Sequence, residues 1–344
     1  MARSLLDFAR RPFGQKRNLM YFAVSGVLLV AVVGVLFYWG RAPSRSQAGT
    51  TDVNPNPPNR TAMPSLSQQT PQAQPGRNLP AVPFEPNGSS RPDVAAAIAE
   101  AVVLVTSQPD KVIEARDKLN AMLQLPLTQQ QEEFVKEHLS KLAGKWLFGP
   151  VVCPGDTLCD TYTVKAGDLL SVISDRSKVP HEILMQINGI RNPESLQAGR
   201  TIKVIKGPFN AKVSRSTFTM DVYLQNTFVR TFPVGLGRAN METPTGLWRV
   251  KLNGKLISPT WTDPDTGRTY KSTDPDYPLG SRWIALEGIE GQAMGRTGFA
   301  IHGTKDPEQI GTAGSRGCIR LHNGDASLVY NLLVPGYSQV RVVE

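Results

Sequence analysis

Hydrophobic and polar positions divide the chain into segments of different periodicity. An uncharged apolar run occupies residues 19–39, long enough to cross a hydrocarbon core of about 30 Å as a helix. Residues 93–149 carry apolar side chains at three- and four-residue spacing, which predicts a helical hairpin and one further helix. Residues 207–344 alternate short β-rich runs with Gly and Pro turns, which predicts an all-β domain.

The flanks of the apolar run predict its orientation. Basic residues are concentrated in residues 1–18, whereas only Arg41 and Arg45 follow closely. The positive-inside rule therefore predicts a cytoplasmic tail over 1–18, a single transmembrane helix over 19–39, and exported domains in the periplasm or cell-wall space. A cleaved signal peptide is the alternative, although the run exceeds the usual apolar core of about 7 to 15 residues.

Composition limits the classes of protein to which this chain can belong. The chain has 344 residues, of which 40% are hydrophobic and 19% charged, enough apolar material for packed cores. Residues 40–92 are rich in Pro and polar residues without apolar periodicity, so a disordered linker is expected there. The net charge is +9, but most of the excess lies beside the apolar run rather than on a folded domain. We therefore expect a membrane partner and no nucleic-acid partner.

The cysteines suggest one disulfide. Cys153 and Cys159 flank a Pro-Gly turn that could bring their thiols together, as an oxidising compartment would favour. Cys318 would then be the unpaired thiol, which calls for an explanation in an exported protein. No His or Cys pair completes a four-ligand set near Cys153 and Cys159, so we expect no metal site. No cofactor is expected either.

Residues 160–206 are expected to form a strand, two helices and a second strand, with Asp168 capping the first helix. The motifs in this segment are Tyr162-Thr163-Val164, Gly167-Asp168, Ile187-Asn188-Gly189, Asn192-Pro193 and Gly199. The segment resembles a lysin motif (LysM), which implies a βααβ domain that binds N-acetylglucosamine-containing glycans of peptidoglycan. The implied contacts are Gly167, Asp168, Leu169, Gly189, Ile190 and Asn192. A small domain whose matches only pack its core is the alternative.

The candidate chemistry of the C-terminal segment lies in two blocks, Ala300-Ile301-His302-Gly303-Thr304 and Ser315-Arg316-Gly317-Cys318-Ile319-Arg320-Leu321. A thiol attacks an acyl carbon as a thiolate and so needs a neighbouring imidazole, and the resulting oxyanion needs fixed donors. A free cysteine can also be a small buried hydrophobe. Catalysis therefore requires that the two blocks meet.

Further motifs accompany the two blocks: Thr243-Pro244-Thr245-Gly246, Pro259-Thr260-Trp261, Pro278-Leu279-Gly280 and Trp283-Ile284-Ala285-Leu286. With them, residues 207–344 resemble the L,D-transpeptidase family with a YkuD-type catalytic domain. The resemblance implies an enzyme in which Cys318 is the nucleophile and His302 its base. It also implies oxyanion donors at the backbone amides of Arg316, Gly317 and Cys318, and substrate contacts at Arg320, Gly303 and Trp283.

Several alternatives stay open at these positions. Arg320 could instead pair with Asp325, and His322 is the alternative base. Arg316 and Arg320 flank the thiol and would favour its thiolate if their side chains turned toward it. Residues 240–246 and 253–280 are expected to cover the site, since these stretches are rich in loop-forming residues.

The resemblance implies a membrane-anchored peptidoglycan L,D-transpeptidase. Cys318 would form a thioester with the third residue of a stem tetrapeptide, release the terminal D-Ala, and pass the acyl group to an amine. Water as acceptor would make the protein an L,D-carboxypeptidase, and a lipoprotein lysine would make it an anchoring enzyme. A non-catalytic LysM wall-binding anchor is the alternative from another functional class.

Overall fold

The computed structural model describes residues 92–107 and 109–344. The predicted cytoplasmic tail (1–18), transmembrane helix (19–39) and, apart from Pro92, linker (40–92) lie outside the described residues. Among the residues that are described, no helix has the length and apolarity to cross a membrane.

Three helices open the described part of the chain: α1 (Pro92–Ser107), α2 (Val112–Met122) and α3 (Gln129–Trp146). Helix α3 begins with a capping box, in which Thr128 Oγ1 accepts from the Gln131 N–H and the Gln131 side chain accepts from the Thr128 N–H. Such reciprocal bonds satisfy two backbone donors that a helix start leaves free. The helices occupy the segment in which apolar spacing predicted a hairpin and one further helix.

The LysM segment has the predicted strand–helix–helix–strand order. Its elements are β1 (Cys159–Thr163), α4 (Leu170–Ser177), α5 (His181–Asn188) and β2 (Thr201–Ile205). Strands β1 and β2 pair antiparallel along their whole length, and the two helices pack their apolar faces beside them.

The expected helix cap at Asp168 is wrong. The N-cap residue of α4 is Leu169, which makes no side-chain cap hydrogen bond. The Asp168 carboxylate instead accepts from the Tyr162 hydroxyl at 2.7 Å and from the Lys165 N–H at 2.8 Å. It closes the loop between β1 and α4, and these bonds lower the pKa of Asp168, the backbone bond most strongly.

The remaining elements form a β domain with one helix. They are, in chain order, β3 (Phe209–Ser214), β4 (Thr219–Leu224), β5 (Thr227–Pro233), β6 (Leu236–Gly237), β7 (Gly246–Ile257), β8 (Trp261–Thr262), β9 (Thr269–Tyr270), β10 (Arg282–Glu290), β11 (Phe299–His302), β12 (Ala313–Ser315), β13 (Ile319–Arg320), α6 (Asn323–Leu332) and β14 (Gln339–Val343). Eight strands make one sheet in the order β13-β11-β10-β7-β14-β3-β4-β5, and β6–β12 and β8–β9 are small separate pairs. The all-β prediction is confirmed for the sheet, whereas α6 was not predicted.

The three-helix segment covers the edge strand β5. The Asn120 Oδ1 accepts from the Phe228 N–H at 2.9 Å, and Lys136 Nζ lies 2.7 Å from Asp221 Oδ2. An edge strand carries unpaired backbone groups that favour pairing with other chains. The helical segment, for which the sequence indicated no role, therefore covers the β5 edge of the eight-stranded sheet.

The predicted disulfide is wrong, because Cys153 and Cys159 are free thiols. Cys159 is buried on β1, and its Sγ lies 3.9 Å from the Trp146 carbonyl oxygen at the end of α3. Burial raises the pKa of Cys159 to about 12. Its thiol is thus a neutral packing group in the contact between the LysM domain and α3.

The LysM domain packs against both of its neighbours in the chain. The Lys203 ammonium on β2 is buried and donates to three carbonyl oxygens near the end of α3, those of Trp146, Gly149 and Val151, at 2.6, 2.9 and 3.0 Å. On the other side, α5 contacts α6 of the β domain. A cation at a helix C-terminus is stabilising, since it meets carbonyls that lack partners in the helix.

We expect Lys203→Met to lower the free energy of unfolding by about 3 kcal/mol, because the carbonyl oxygens of Trp146, Gly149 and Val151 lose the buried ammonium that donates to them. Chemical denaturation of residues 81–344, the compact unit that contains every described residue, measures this. Lys206→Met is the matched control, since Lys206 is half-exposed and lies 3.5 Å from Asp160, and it should change stability by less than about 0.5 kcal/mol. Equal effects of the two variants would contradict the buried role of Lys203.

Candidate active site

Strand pairing brings the two catalytic blocks side by side. Strands β11 and β13 are parallel neighbours, with Ile301 opposite Ile319 and His302 opposite Arg320. Cys318 is the residue immediately before β13. Because paired strands lie about 4.8 Å apart, the blocks that carry His302 and Cys318 meet at one edge of the sheet, as the proposed chemistry requires.

Gly317 shapes the turn that presents Cys318. Its φ is +107°, which side-chain-bearing residues rarely adopt. A Cβ at this position would lie 2.6 Å from Phe299 Cε1, closer than packing allows. Glycine is therefore required by the backbone conformation and by the ring that packs on it.

Two hydroxyl groups hold this turn in place. The Ser315 hydroxyl donates to the Cys318 carbonyl at 2.6 Å and accepts from the Gly317 N–H at 3.1 Å. The Thr243 hydroxyl donates to the Gly317 carbonyl at 2.9 Å. Both residues stood within sequence motifs, but only the fold shows that they position the nucleophile.

The hydrogen bonds of this turn determine which backbone amides are free to stabilise an oxyanion. The Gly317 N–H already donates to Ser315, so it is not free, and its assignment as a donor is wrong. Within the described part of the chain, the backbone N–H groups of Arg316 and Cys318 make no hydrogen bond. These two amides remain as candidates to stabilise an oxyanion.

His302 is a buried neutral imidazole. Its Nδ1 lies 2.6 Å from the Gly303 carbonyl oxygen, and because a carbonyl only accepts, Nδ1 carries the proton and Nε2 has the free lone pair. Burial lowers the pKa of His302 to about 4, although hydrogen bonds with the backbone of Gly303 and Leu279 act in the opposite direction. The ring also stacks on Trp283, with centroids 5.5 Å apart.

Gly303 and Trp283 both contact the candidate base. Both were predicted to contact substrate, and in the structure both contact His302. Gly303 has no room for a side chain, since a Cβ would overlap Asn323 Oδ1. The two residues therefore orient the base.

Cys318 is held as a thiol rather than as a thiolate. Burial raises the pKa of Cys318, and this effect exceeds the lowering by a hydrogen bond from the Ala300 backbone and by the charge of Arg320. The sulfur lies 4.0 Å from the Gly298 carbonyl oxygen. In the portion of the chain that the structure describes, no hydrogen bond joins the Cys318 sulfur to His302.

The Arg316 side chain does not turn toward the thiol, although it would have to do so in order to favour the thiolate. Its guanidinium pairs with Asp263 at 2.9 Å and with Asp265 at 2.7 Å, both in the turn between β8 and β9. Together with the bond from Thr243 to the Gly317 carbonyl, these contacts bring parts of residues 240–246 and 253–280 against the nucleophile turn.

Arg320 has an unused donor beside Cys318. Its Nη1 donates to Gln309 Oε1, and its buried Nε makes no hydrogen bond. The described residues contain no ion pair between Arg320 and Asp325, so that alternative is wrong. His322, the alternative base, is exposed at the start of α6.

The two loops implied in glycan binding lie near each other in the LysM domain, because α4 contacts the short turn Pro193–Ser195. Gly167 and Gly189 adopt φ values of +85° and +60° and shape these loops. Leu169 is 62% exposed, so its side chain is available at the surface.

Three other predicted contacts are engaged within the LysM domain. Ile190 is buried, so its side chain is not available at the surface. The Asp168 carboxylate is used inside its own loop. The Asn192 Oδ1 accepts from the Glu194 N–H at 3.3 Å, which leaves its amide NH₂ as a donor at the surface.

Comparison with known proteins gives two family matches and several relatives. Residues 209–342 match the family model described as the L,D-transpeptidase catalytic domain, and residues 162–204 match the LysM domain. A Bacillus subtilis protein named as an L,D-transpeptidase, YkuD, is 32% identical over 185 residues, which are 50% of this chain and 94% of that protein.

Two further matches cover smaller shares of the matched proteins. An Escherichia coli protein named as an L,D-transpeptidase, ErfK/SrfK, is 35% identical over 127 residues, which are 34% of this chain and 37% of its own length. A crystal structure of an L,D-transpeptidase from Mycobacterium tuberculosis matches 43% of this chain and 64% of its own, with 20% identity and a TM-score of 0.32.

Proposed function

This chain belongs to the L,D-transpeptidase family, and we propose that it cross-links peptidoglycan through a thioester on Cys318. It is an L,D-transpeptidase with a LysM domain. The observation that carries the proposal is the parallel pairing of β11 with β13, which places the His302 block beside Cys318. The proposed donor is a stem tetrapeptide.

In the first half-reaction, the Cys318 sulfur attacks the carbonyl carbon of the third stem residue while His302 Nε2 takes the thiol proton. The carbonyl oxygen becomes an oxyanion beside the free amides of Arg316 and Cys318. As the carbonyl re-forms, the C–N bond to the terminal D-Ala breaks, and the imidazolium returns the proton to the leaving amine. The products are a thioester and free D-Ala.

In the second half-reaction, an acceptor amine attacks the thioester carbon. The C–S bond breaks, an amide forms, and the proton lost by the amine passes through His302 to the sulfur. Free thiol is regenerated, so the cycle needs no cofactor.

The resting charges of the site support proton transfer at the moment of attack. Burial keeps the Cys318 thiol and the His302 imidazole neutral, by raising the pKa of the first and lowering that of the second. Once His302 takes the proton, its hydrogen bond to the Gly303 carbonyl stabilises the imidazolium. The base acts at the transition state rather than by forming a resting ion pair.

Two further sites support binding to the wall. The Arg320 guanidinium forms no ion pair within the described residues, and its positive charge acts on Cys318, so it suits a carboxylate of the donor peptide. The LysM domain is proposed to bind glycan strands at the surface near Leu169 and Asn192. With residues 19–39 as an uncleaved anchor, both domains would work in the periplasm or cell-wall space, tethered to the membrane by residues 40–92.

Mass spectrometry tests the proposal. Purified protein incubated with a disaccharide tetrapeptide should gain the mass of that donor less one alanine, on the peptide that contains Cys318. A dimer should then appear when an amine acceptor is present. Hydrolysed tripeptide without dimer would make the protein a carboxypeptidase, and failure to form any adduct would overturn the thioester mechanism.

A further inference from the structure

A polar cleft of about 760 Å³ lies between helix α2 and the eight-stranded sheet. Six of the ten residues that line it carry a carboxamide group: Asn120, Gln124, Asn210, Gln225, Asn226 and Gln339. Among the described residues, none that lines the cleft belongs to the LysM domain or to the nucleophile turn. The proposed reaction therefore leaves this cleft without a role.

The two walls of the cleft are fixed to each other by hydrogen bonds. The Asn120 side chain on α2 donates to the Asn226 carbonyl at 3.2 Å and accepts from the Phe228 N–H at 2.9 Å. On the sheet, the Asn210 Oδ1 accepts from the Gln339 N–H at 2.9 Å. The cleft is thus formed before a ligand enters, which lowers the entropy cost of binding.

Most of the carboxamides keep hydrogen-bonding groups for a ligand. The Asn210 NH₂ group is left over, and Gln225, whose Nε2 donates to the Lys206 carbonyl at 2.9 Å, keeps its Oε1. Within the part of the chain that the structure describes, three lining carboxamides make no side-chain hydrogen bond: Gln124, Asn226 and Gln339. The cleft therefore offers a balanced set of donors and acceptors.

The lining offers a ligand no unpaired charge. Arg341 is the one charged residue among the described residues that line the cleft, and its guanidinium lies 3.5 Å from the Glu290 carboxylate. The Tyr223 hydroxyl donates to Asp221 at 3.4 Å, and burial raises the pKa of Tyr223, so this group stays neutral. A charged ligand would find no free partner here, whereas a neutral polar ligand gives up no ion pair.

A sugar chain matches this lining. A carboxamide holds a donor and an acceptor side by side, and two neighbouring hydroxyl groups of a sugar ring offer the complementary pair. An apolar ligand is disfavoured, because it would remove water from the carboxamides without replacing their hydrogen bonds. The half-buried ring of Tyr223 adds an apolar surface for the C–H face of a sugar. The volume is in the range of about 300 to 1,000 Å³ that is usual for small-ligand sites, so a short stretch of glycan fits.

We propose that this cleft binds a neutral glycan of N-acetylated amino sugars and is a second glycan site, apart from the LysM domain. The choice of this glycan rests on the proposed function, because the stem peptides of peptidoglycan are attached to such a polymer. Helix α2 contributes one wall through Asn120 and Gln124. The helical segment thereby takes part in holding the substrate polymer.

Hydrogen–deuterium exchange tests the proposal on the full chain, kept in a mild detergent. The probe is chitotetraose, a neutral tetramer of N-acetylglucosamine without stem peptides. In the wild type, chitotetraose should slow exchange of backbone amides in residues 120–126 and 224–228, which border the cleft. Exchange in residues 160–206 reports separately on the LysM domain. Unchanged exchange at the cleft would overturn the inference, whatever the LysM domain shows.

Gln124→Ala combined with Gln339→Ala removes one free carboxamide from each wall. This double variant should need at least about tenfold more chitotetraose for half-maximal protection at the cleft, because two hydrogen bonds are lost. Protection in residues 160–206 should stay at the wild-type level. Gln130→Ala is the matched control, since Gln130 is exposed on α3 and does not line the cleft, and it should leave protection at both sites unchanged.

Two further outcomes would overturn the inference. One is protection at the cleft that is equally strong in the double variant, and the other is protection by a free stem tetrapeptide but not by chitotetraose, which would assign the cleft to a peptide. The thioester on Cys318 is measured separately by mass. A wild type that binds chitotetraose in the cleft but forms no thioester would overturn the proposed function alone, so the two failures are distinguishable.

Discussion

Cys318→Ala is expected to lower formation of cross-linked product by at least about a thousandfold, because the variant has no group that can form the thioester. The sulfur makes a long contact of 4.0 Å to the Gly298 carbonyl and a hydrogen bond with the Ala300 backbone. Alanine differs from cysteine by the sulfur alone, so we expect the fold to remain intact. The measurement is chromatographic quantification of dimer from tetrapeptide donors. Thermal unfolding and binding to isolated sacculi show whether the rest of the protein is unchanged.

Cys153→Ala is the matched control for this prediction. Cys153 is also a free, partly buried thiol, but it precedes β1 and lies outside the catalytic domain. The control should retain activity close to that of the wild type. Product formation that survives in Cys318→Ala, or that is lost equally in Cys153→Ala, would contradict the assignment of the nucleophile.

The second prediction concerns how alkylation of Cys318 and its acylation by the donor depend on pH and on His302. Because burial raises the pKa of Cys318, alkylation by iodoacetamide should have its midpoint above the value of about 8.5 for an exposed thiol. Acylation by the donor requires only neutral His302, whose pKa is lowered to about 4. Acylation should therefore persist as the pH falls to about 5, and weaken as His302 is protonated near pH 4.

His302→Gln should slow acylation by about 10² to 10⁴-fold, the usual contribution of a general base. The variant should change the alkylation midpoint little, because thiolate formation at equilibrium does not depend on the base. Rates of acylation and of alkylation, each measured between pH 4 and 10, separate the effect on acylation from the effect on the alkylation midpoint. An alkylation midpoint below 7 that rises in His302→Gln would instead support a preformed thiolate and imidazolium.

The LysM domain shows why sequence segments are not independent modules. Its boundaries follow from local signals, such as strands at either end and helices after Gly167 and Pro180. Its contacts do not, because the Lys203 ammonium bonds carbonyls 52 to 57 residues earlier in the chain. Nothing in the neighbourhood of Lys203 in sequence distinguishes it from an exposed strand lysine.

The sequence by itself determined the architecture of the LysM domain and the identity of the two catalytic blocks. Helical and strand periodicities are local properties, and the spacing of His302, Gly317 and Cys318 is a motif that can be found without the fold. The helix α6 was not predicted, although its buried residues Ala326, Val329 and Leu332 recur at helical spacing.

Only the tertiary structure decided the electrostatics of the site. Arg316 meets Asp263, 53 residues away, so its charge is neutralised instead of acting on the thiol. The Gly317 amide is taken by Ser315, and burial sets the direction of the pKa shifts of Cys318 and His302. The physical reason is that desolvation and ion pairing depend on which distant residues pack around a group, and residue order alone does not specify that packing.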